Sequence, residues 1–268
     1  MLGADLALSA GRPTTASGIP PSGGGGGGFS QQYSVDFDGT DDYLDTGTSF
    51  ESTFQNSYSI STWYKQDSTS GTQNFFGTRL DSPSKNAVNL NISATAIFAD
   101  NFINGSRMRI GFSNTADTTS WHHICMTVLQ SGSNIILKIF LDGVFKNTLT
   151  SALSLSNYAN STINFVVGAI GYPGSPFSYF NGKLDETAIF GSALSDGGVS
   201  TGQTAGGDIA TLYNSGVAND ISALSPLGWW RMGDTGTDFG TTTITDAGSG
   251  GNNGTLNNGP AFSTDIPS

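Results

Sequence analysis

The stretch ILKIFLDGVFK, residues 136–146, decides the fold class of this sequence. Two apolar runs flank the pair Asp142-Gly143, and an Asp-Gly pair suits a type I′ turn because both central residues of that turn adopt positive φ. The stretch therefore predicts a β-hairpin. Short apolar runs between clusters of Asn, Gly, Ser, Thr and Asp predict further strands at residues 33–38, 58–64, 87–92, 107–112, 121–129, 163–169 and 181–190.

Helical signals are confined to one short window. Residues 207–215, GDIATLYNS, predict a single helix with Asp208 as its N-cap. Many short strands with almost no helix are typical of a sandwich or a barrel. The sequence therefore predicts an all-β fold, and 268 residues are enough to bury a two-sheet core.

Composition excludes several classes of protein. Charged residues make up 12% of the chain, and Cys occurs once, which excludes a long helical protein and a disulfide scaffold. The net charge of −11 makes nucleic acid and anionic membranes poor partners and cations better ones. No apolar run is long enough to cross a bilayer, and the first ten residues lack the basic start of a secretory signal.

The first 29 residues differ from the rest of the sequence. They contain six consecutive glycines, Gly23–Gly28, which lose much backbone entropy on ordering. Residues 1–29 are therefore predicted to form a flexible tether, or alternatively an arm that becomes ordered against a partner. Residues 30–268 are predicted to form the folded domain.

Six segments, in chain order, carry a resemblance to a known family. The segments are FDGTDDYLDTG (37–47), YSISTWYK (58–65), SWHHICMTV (120–128), LKIFLDGV (137–144), FNGKLDETAIFGSALSDGG (180–198) and IATLYNSG (209–216). With these segments, residues 33–216 resemble the laminin-G-like jellyroll domains of the concanavalin A-like lectin and glucanase superfamily. The resemblance implies two stacked antiparallel sheets with jellyroll connections.

The end of the chain is similar to the beginning of such a domain. GWWRMGD (228–234) and TDAGSGGNNGTLNNGPAF (245–262) look like opening strands that usually precede the FDG strand. Either the domain is circularly permuted, or this segment begins a second repeat or donates strands to a neighbouring chain. We favour permutation, with residues 226–268 supplying the opening strands, because so short a segment cannot form its own core.

Crowded aspartates suggest a metal site. Five of them lie within ten residues, and such charges repel one another unless a cation or backbone donors compensate. The resemblance implies a structural Ca²⁺ where the DG turn meets the closing strand, with Asp38, the carbonyl of Gly39 and Asp185 as ligands. Alternatively, the aspartates cap turns and face solvent.

Catalysis has little support in the sequence. The glucanases of this superfamily carry paired carboxylates on one strand, whereas the only glutamates here are Glu51 and Glu186. Asp185 and Glu186 are adjacent on a predicted strand, so we expect them to point to opposite faces. The protein is therefore predicted not to be an enzyme.

Binding is the alternative to catalysis, and the loop 169–180 is its candidate. Tyr172, Phe177 and Tyr179 in this loop could stack on a sugar ring, although such aromatics also plug the ends of sandwiches. We therefore assign these three residues as candidate ligand-binding residues for a glycan on a cell surface.

Two biological roles fit these features. The FDGTDDYLDTG and WWRMGD segments resemble proteins encoded by marine bacteriophages, which implies a non-catalytic structural or decoration protein of the virion, on the capsid or a tail fibre. In that role the tether would attach to other virion proteins, and a homo-oligomer is compatible with the low charge. The alternative is an extracellular, secreted carbohydrate-binding lectin or adhesin module.

Overall fold

Two antiparallel sheets of eight strands each form the fold of residues 29–268, the part of the chain that the computed structural model describes. The strands of sheet I are β1 (Ser34–Asp38), β3 (Tyr58–Gln66), β8 (His122–Ser131), β9 (Asn134–Leu141), β10 (Val144–Ser151), β12 (Asn181–Phe190), β13 (Gly228–Trp230) and β16 (Ala261–Ser263). Their order in the sheet is β10-β9-β8-β3-β12-β1-β16, and β13 also pairs with β12.

The strands of sheet II are β2 (Tyr43–Asp45), β4 (Gln73–Leu80), β5 (Asn86–Ile92), β6 (Ala96–Ile103), β7 (Ser106–Ser113), β11 (Val166–Val167), β14 (Thr243–Ile244) and β15 (Gly254–Asn257). Their order in the sheet is β14-β15-β2-β11-β4-β5-β6-β7. The described residues also form two short α-helices, α1 (Glu51–Phe54) and α2 (Gly207–Tyr213), and three short 3₁₀ helices. The predicted all-β jellyroll sandwich is confirmed.

The predicted hairpin lies at the junction of β9 and β10. Leu141 pairs with Val144, and Asp142 and Gly143 have φ values of 50° and 69°, as a type I′ turn requires. The helix α2 falls within the predicted window, but its N-cap is Gly206 without a side-chain cap. The Asp208 carboxylate instead accepts a hydrogen bond from Ser195 Oγ at 2.9 Å, so the predicted cap was wrong.

The main core lies between the two sheets. Side chains alternate along β5, so that Val88, Leu90 and Ile92 are fully buried in this core. The residues between them, Asn89 and Asn91, consequently lie on the outer face of sheet II. A second apolar cluster covers the outer face of sheet I, where Ile209 and Leu212 of α2 are buried among other apolar residues.

The C-terminal segment contributes strands to both sheets. β13 pairs with β12, and β16 pairs with β1 through Ser263 and Ser34. β14 and β15 extend sheet II beside β2. Trp230 is buried in the main core and Trp229 in the outer cluster, which follows from strand alternation. The segment thus packs against its own domain.

The predicted tether lies almost wholly outside the described residues, which begin at Phe29. Phe29 stacks on Trp229 at a ring-centroid distance of 6.4 Å. Within residues 29–268, no helix has the length and apolar character needed to cross a membrane.

Candidate functional site

A groove of about 260 Å³ lies on the outer face of sheet II, across β4, β5, β6 and β7. This volume is slightly below the roughly 300 Å³ at which small-molecule sites begin, so it suits a short ligand. Polar and cationic side chains dominate the lining. The lining residues are Thr72, Asn74, Arg79, Lys85, Ala87, Asn89, Asn91, Asp100, Phe102, Arg107, Arg109, Ile170, Phe177 and Ser178.

Strand register places these side chains in rows. Asn89 of β5 pairs with Asp100 of β6, which pairs with Arg109 of β7. In the next row, Phe102 of β6 pairs with Arg107 of β7. Because alternate residues of a strand share a face, the spacing of two between Arg107 and Arg109 puts both guanidinium groups over the groove.

Three asparagines, Asn74, Asn89 and Asn91, form the floor of the groove. Their exposure is between 4% and 7%, although they lie on the outer face of a sheet. Asn89 Nδ2 donates to Asn74 Oδ1 at 3.2 Å. The Oδ1 atom of Asn91 is buried without a hydrogen-bond partner, which costs about 1–3 kcal/mol.

Asp100 anchors the groups around it. Its Oδ1 accepts a hydrogen bond from Arg107 Nε at 2.7 Å, and its Oδ2 accepts one from Asn91 Nδ2 at 3.4 Å. Arg109 lies farther away, with 3.9 Å between its Nη1 and Asp100 Oδ2. A buried carboxylate therefore orients one arginine and one amide of the groove.

Two glycines allow side chains to lie flat on the sheet. A Cβ at Gly77 would lie 2.7 Å from the Cβ of Asn89, and a Cβ at Gly111 would lie 2.3 Å from the ring of Phe98. Atoms do not approach so closely, so a larger residue at either position would displace the neighbouring side chain. The absence of a side chain at these positions therefore leaves room for the side chains of Asn89 and Phe98.

Cations cover the aromatic rings near the groove. Lys85 Nζ lies 3.9 Å from the centroid of the Phe102 ring, and the guanidinium carbon of Arg109 lies 3.9 Å from that of Phe98. Both distances are within the range of cation–π attraction. Burial, followed by the positive charge of Arg79, lowers the pKa of the Lys85 ammonium.

The structure brings together two of the three predicted aromatic residues, Tyr172 and Phe177, whose rings pack edge to face with centroids 5.4 Å apart beside the Arg79 guanidinium, but not Tyr179. Phe177 lines the groove, Tyr172 lines a neighbouring depression, and Tyr179 lines a third one beside Gly39. The Tyr172 hydroxyl donates to Asp81 at 3.0 Å, and that of Tyr179 donates to the Pro176 carbonyl at 2.6 Å. These hydroxyl groups therefore already fix the conformation of the loop.

The predicted metal ligands are also separated. Asp38 pairs with Asn181 on β12, so Asp185 lies four residues farther along that strand, or about 13 Å away. Asp185 is fully buried and accepts a hydrogen bond from Gln31 Nε2 at 2.6 Å. The structure thus does not bring Asp185 to Asp38 and Gly39.

Other carboxylates lie near Asp38. Asp38, Asp41 and Asp42 each offer a carboxylate oxygen within 4.8 Å of the others. Asp38 Oδ1 accepts from the backbone of Thr40 at 2.7 Å, and Asp42 Oδ2 accepts from the backbone of Asp38 at 3.0 Å. Each of these two carboxylates keeps its other oxygen for a ligand, so the donor set fits a hard cation such as Ca²⁺.

A β-bulge changes the directions expected for Asp185 and Glu186. The register of β12 shifts between Asp185 and Ala188, and Glu186 has a φ of 47°. The Glu186 carboxylate accepts hydrogen bonds from Trp229 and Arg231, while Asp185 contacts Gln31. The expectation of opposite faces was wrong, because regular alternation ends at the bulge.

Burial makes the carboxyl groups of Asp185 and Glu186 hard to ionise. Burial, and next the charge of Glu186, raise the pKa of Asp185 well above its usual range. Burial likewise raises the pKa of Glu186 to about 7, against the opposing effect of Arg231. The pair fastens residues 29–33 to the C-terminal segment, where Asp234 accepts hydrogen bonds from the backbones of Gln32 and Tyr33.

The groove residues were not singled out from sequence, although a signal was present. VNLNI (88–92) alternates buried apolar residues with asparagines, and RMRI (107–110) alternates them with arginines. An amide or a guanidinium at every second position of a half-buried strand indicates a polar outer face. The sequence does not show that the outer faces of β5 and β7 belong to one surface. Only the order of the strands in the sheet shows it.

Comparison with known families identifies a match over most of the chain. A family model described as "Concanavalin A-like lectin/glucanases superfamily" matches residues 38–200. No curated protein matches the sequence.

Solved structures share the fold at low identity. A candidate carbohydrate-binding protein from Bacteroides ovatus is 18% identical with a TM-score of 0.60, covering 89% of this chain and 62% of that one. The NanB sialidase of Streptococcus pneumoniae is 16% identical with a TM-score of 0.50, covering 65% of this chain and 28% of the sialidase. The chain thus spans about three fifths of the first protein and less than a third of the second.

Proposed function

Because the chain belongs to the concanavalin A-like lectin/glucanases superfamily, we propose that it is a non-catalytic carbohydrate-binding module and that the groove on sheet II is its binding site. The observation that carries this proposal is the row of buried amides Asn74, Asn89 and Asn91 on an outer sheet face. Pre-positioned amides donate to and accept from sugar hydroxyl groups without first losing side-chain entropy.

The scarcity of carboxylates in the groove lining, within the described part of the chain, argues against glycoside hydrolysis. Hydrolysis of this kind uses two carboxyl groups on either side of the scissile bond. Among the residues that line the groove in the described part of the chain, Asp100 alone carries a carboxylate, and Arg107 and Asn91 hold it. This supports binding rather than catalysis.

A glycan array tests the proposal. Wild-type protein is expected to bind at least one class of glycan, and Asn91→Ala is expected to weaken that binding by about tenfold, since a buried hydrogen-bonding group is lost. Asn257→Ala is the matched control, because Asn257 lies on β15 and bonds only to the nearby Thr255 carbonyl. Equal binding by both variants, or no binding by the wild type, contradicts the proposal.

A more specific role rests on sequence alone. The resemblance of the FDGTDDYLDTG and WWRMGD segments to bacteriophage proteins supports a place on a virion, attached through residues 1–29. The alternative remains a secreted lectin or adhesin. Mass spectrometry of purified particles distinguishes them, since a virion component must co-purify with the particle.

A further inference from the structure

The groove has a charge opposite to that of the whole chain. The sequence carries a net charge of −11 and ten Lys and Arg residues, yet four of those ten line this groove. These are Arg79, Lys85, Arg107 and Arg109, and Asp100 lies among them. Low-dielectric walls strengthen such a local field, so the groove attracts anions although the protein as a whole repels them.

The positions of the cations relative to the aromatic rings indicate which kind of ligand the groove binds. A neutral sugar binds to an aromatic residue by stacking on an open ring face. Here Lys85 lies over the ring of Phe102, and Arg109 lies over the ring of Phe98, each at 3.9 Å. Arg107 also approaches Phe102, at 5.2 Å. The rings therefore hold cations in position, which favours a charged ligand over a neutral one.

Two of the four cations already have close carboxylate partners. Arg79 donates to both oxygens of Asp81, at 2.8 and 2.9 Å, and Arg107 pairs with Asp100. By contrast, no ion pair among the described residues includes Lys85, and Arg109 lies 3.9 Å from its nearest carboxylate oxygen. Lys85 and Arg109 are thus available to a ligand.

We propose that the groove selects an acidic saccharide, whose carboxylate or sulfate group binds to Arg109 while its hydroxyl groups bind to the asparagine floor. This inference rests on the proposed carbohydrate-binding function. A guanidinium fork matches the two oxygens of a carboxylate or sulfate, and the ammonium of Lys85, which lies over Phe102 farther along the groove, adds to the positive field there.

Matched saccharide pairs test this selectivity. Binding of oligogalacturonate is compared with that of its methyl ester, sialyllactose with lactose, and 6-sulfogalactose with galactose, by calorimetry on the full chain. The acidic member of at least one pair is expected to bind about tenfold more tightly than its neutral partner, and added salt is expected to reduce the difference. Arg109→Gln is expected to abolish it.

Lys146→Gln is the matched control, because Lys146 also lies near an aromatic ring, Phe112, but outside the groove lining. Both variants remove one positive charge, so an equal effect of both would overturn the proposal. If glycans bind on the array without any preference for the acidic ones, the proposed acid selectivity is overturned, whereas the proposed binding function stands. A thymidine oligonucleotide that competes as well as the acidic saccharide would also overturn the acid selectivity, whereas a silent array would reject the binding function itself.

Discussion

Arg107 Nε donates a 2.7 Å hydrogen bond to Asp100 Oδ1 across the strands β7 and β6. The Asp100 side chain is 5% exposed and that of Arg107 is 43% exposed. One end of the pair is therefore fixed in the groove floor and the other reaches solvent. This arrangement orients a cation toward a ligand while keeping most of its charge hydrated.

Removing Asp100 should destabilise the fold as well as the groove. Asp100→Ala leaves Arg107 and Asn91 without their acceptor, so we expect the free energy of unfolding to fall by about 1–3 kcal/mol in urea titrations. Asp81→Ala is the comparison, since the more exposed Asp81–Arg79 pair should contribute at most about 1 kcal/mol. Equal losses would contradict the anchoring role of Asp100.

The C-terminal strands should be integral to the sandwich. Trp230 is among the largest fully buried side chains of the main core. We therefore expect Trp230→Ala to lower the free energy of unfolding by about 3–5 kcal/mol, through lost burial and the cavity left behind. Val217→Ala, at an apolar residue that is 46% exposed, should cost less than about 1 kcal/mol. A small effect at Trp230 would show that the segment is dispensable.

Glu186 and Asp234 should each contribute less stability as the pH rises from 5 to 8. Burial raises the folded-state pKa of Glu186 to about 7 and that of Asp234 to about 6, above their values in an unfolded chain. The folded state therefore binds more protons in this window, so this stabilisation is full below about pH 4 and is lost as the pH rises through the folded pKa. The groups facing Glu186 are Asp185, Asp234, Arg231 and Trp229.

Urea titrations at pH 5 and pH 8 measure this effect. Glu186→Gln mimics the protonated side chain, so the variant should lose less stability than the wild type between the two pH values. Glu51, the only other glutamate of the sequence, supplies the control Glu51→Gln, which should retain the wild-type slope. An unchanged slope in Glu186→Gln would assign the pH dependence to other groups.

Calcium should raise the melting temperature if the aspartates of the DG turn hold it. A cation bound only to the folded state stabilises that state by mass action, so chelator should lower the melting temperature and excess Ca²⁺ should raise it. Asp41→Asn should remove the response, because Asp41 is one of the three clustered carboxylates. Asp208→Asn, in the first turn of α2, should leave it intact. A melting temperature that changes with neither chelator nor Ca²⁺ would contradict the predicted metal site.

The sequence alone determined the fold class and the position of its central hairpin. Alternation in β5 and the Asp142-Gly143 pair act locally, through side-chain direction and turn geometry, so short windows of sequence reveal them. The resemblance over residues 33–216 likewise follows from segments in chain order, and the match over residues 38–200 agrees with it.

The position of the candidate site depends on how the strands assemble into sheets, which the sequence alone does not show. Asn74, Asn91 and Arg109 come from three strands, and their proximity depends on sheet order and register. The bulge at Glu186 reversed an expectation drawn from alternation, and the distance along β12 separated Asp185 from Asp38. The net charge of the chain did not reveal the cationic groove, because a sum of charges does not say where each charge lies. Local propensities set the strands, whereas chemistry between distant residues arises only when the sheets assemble.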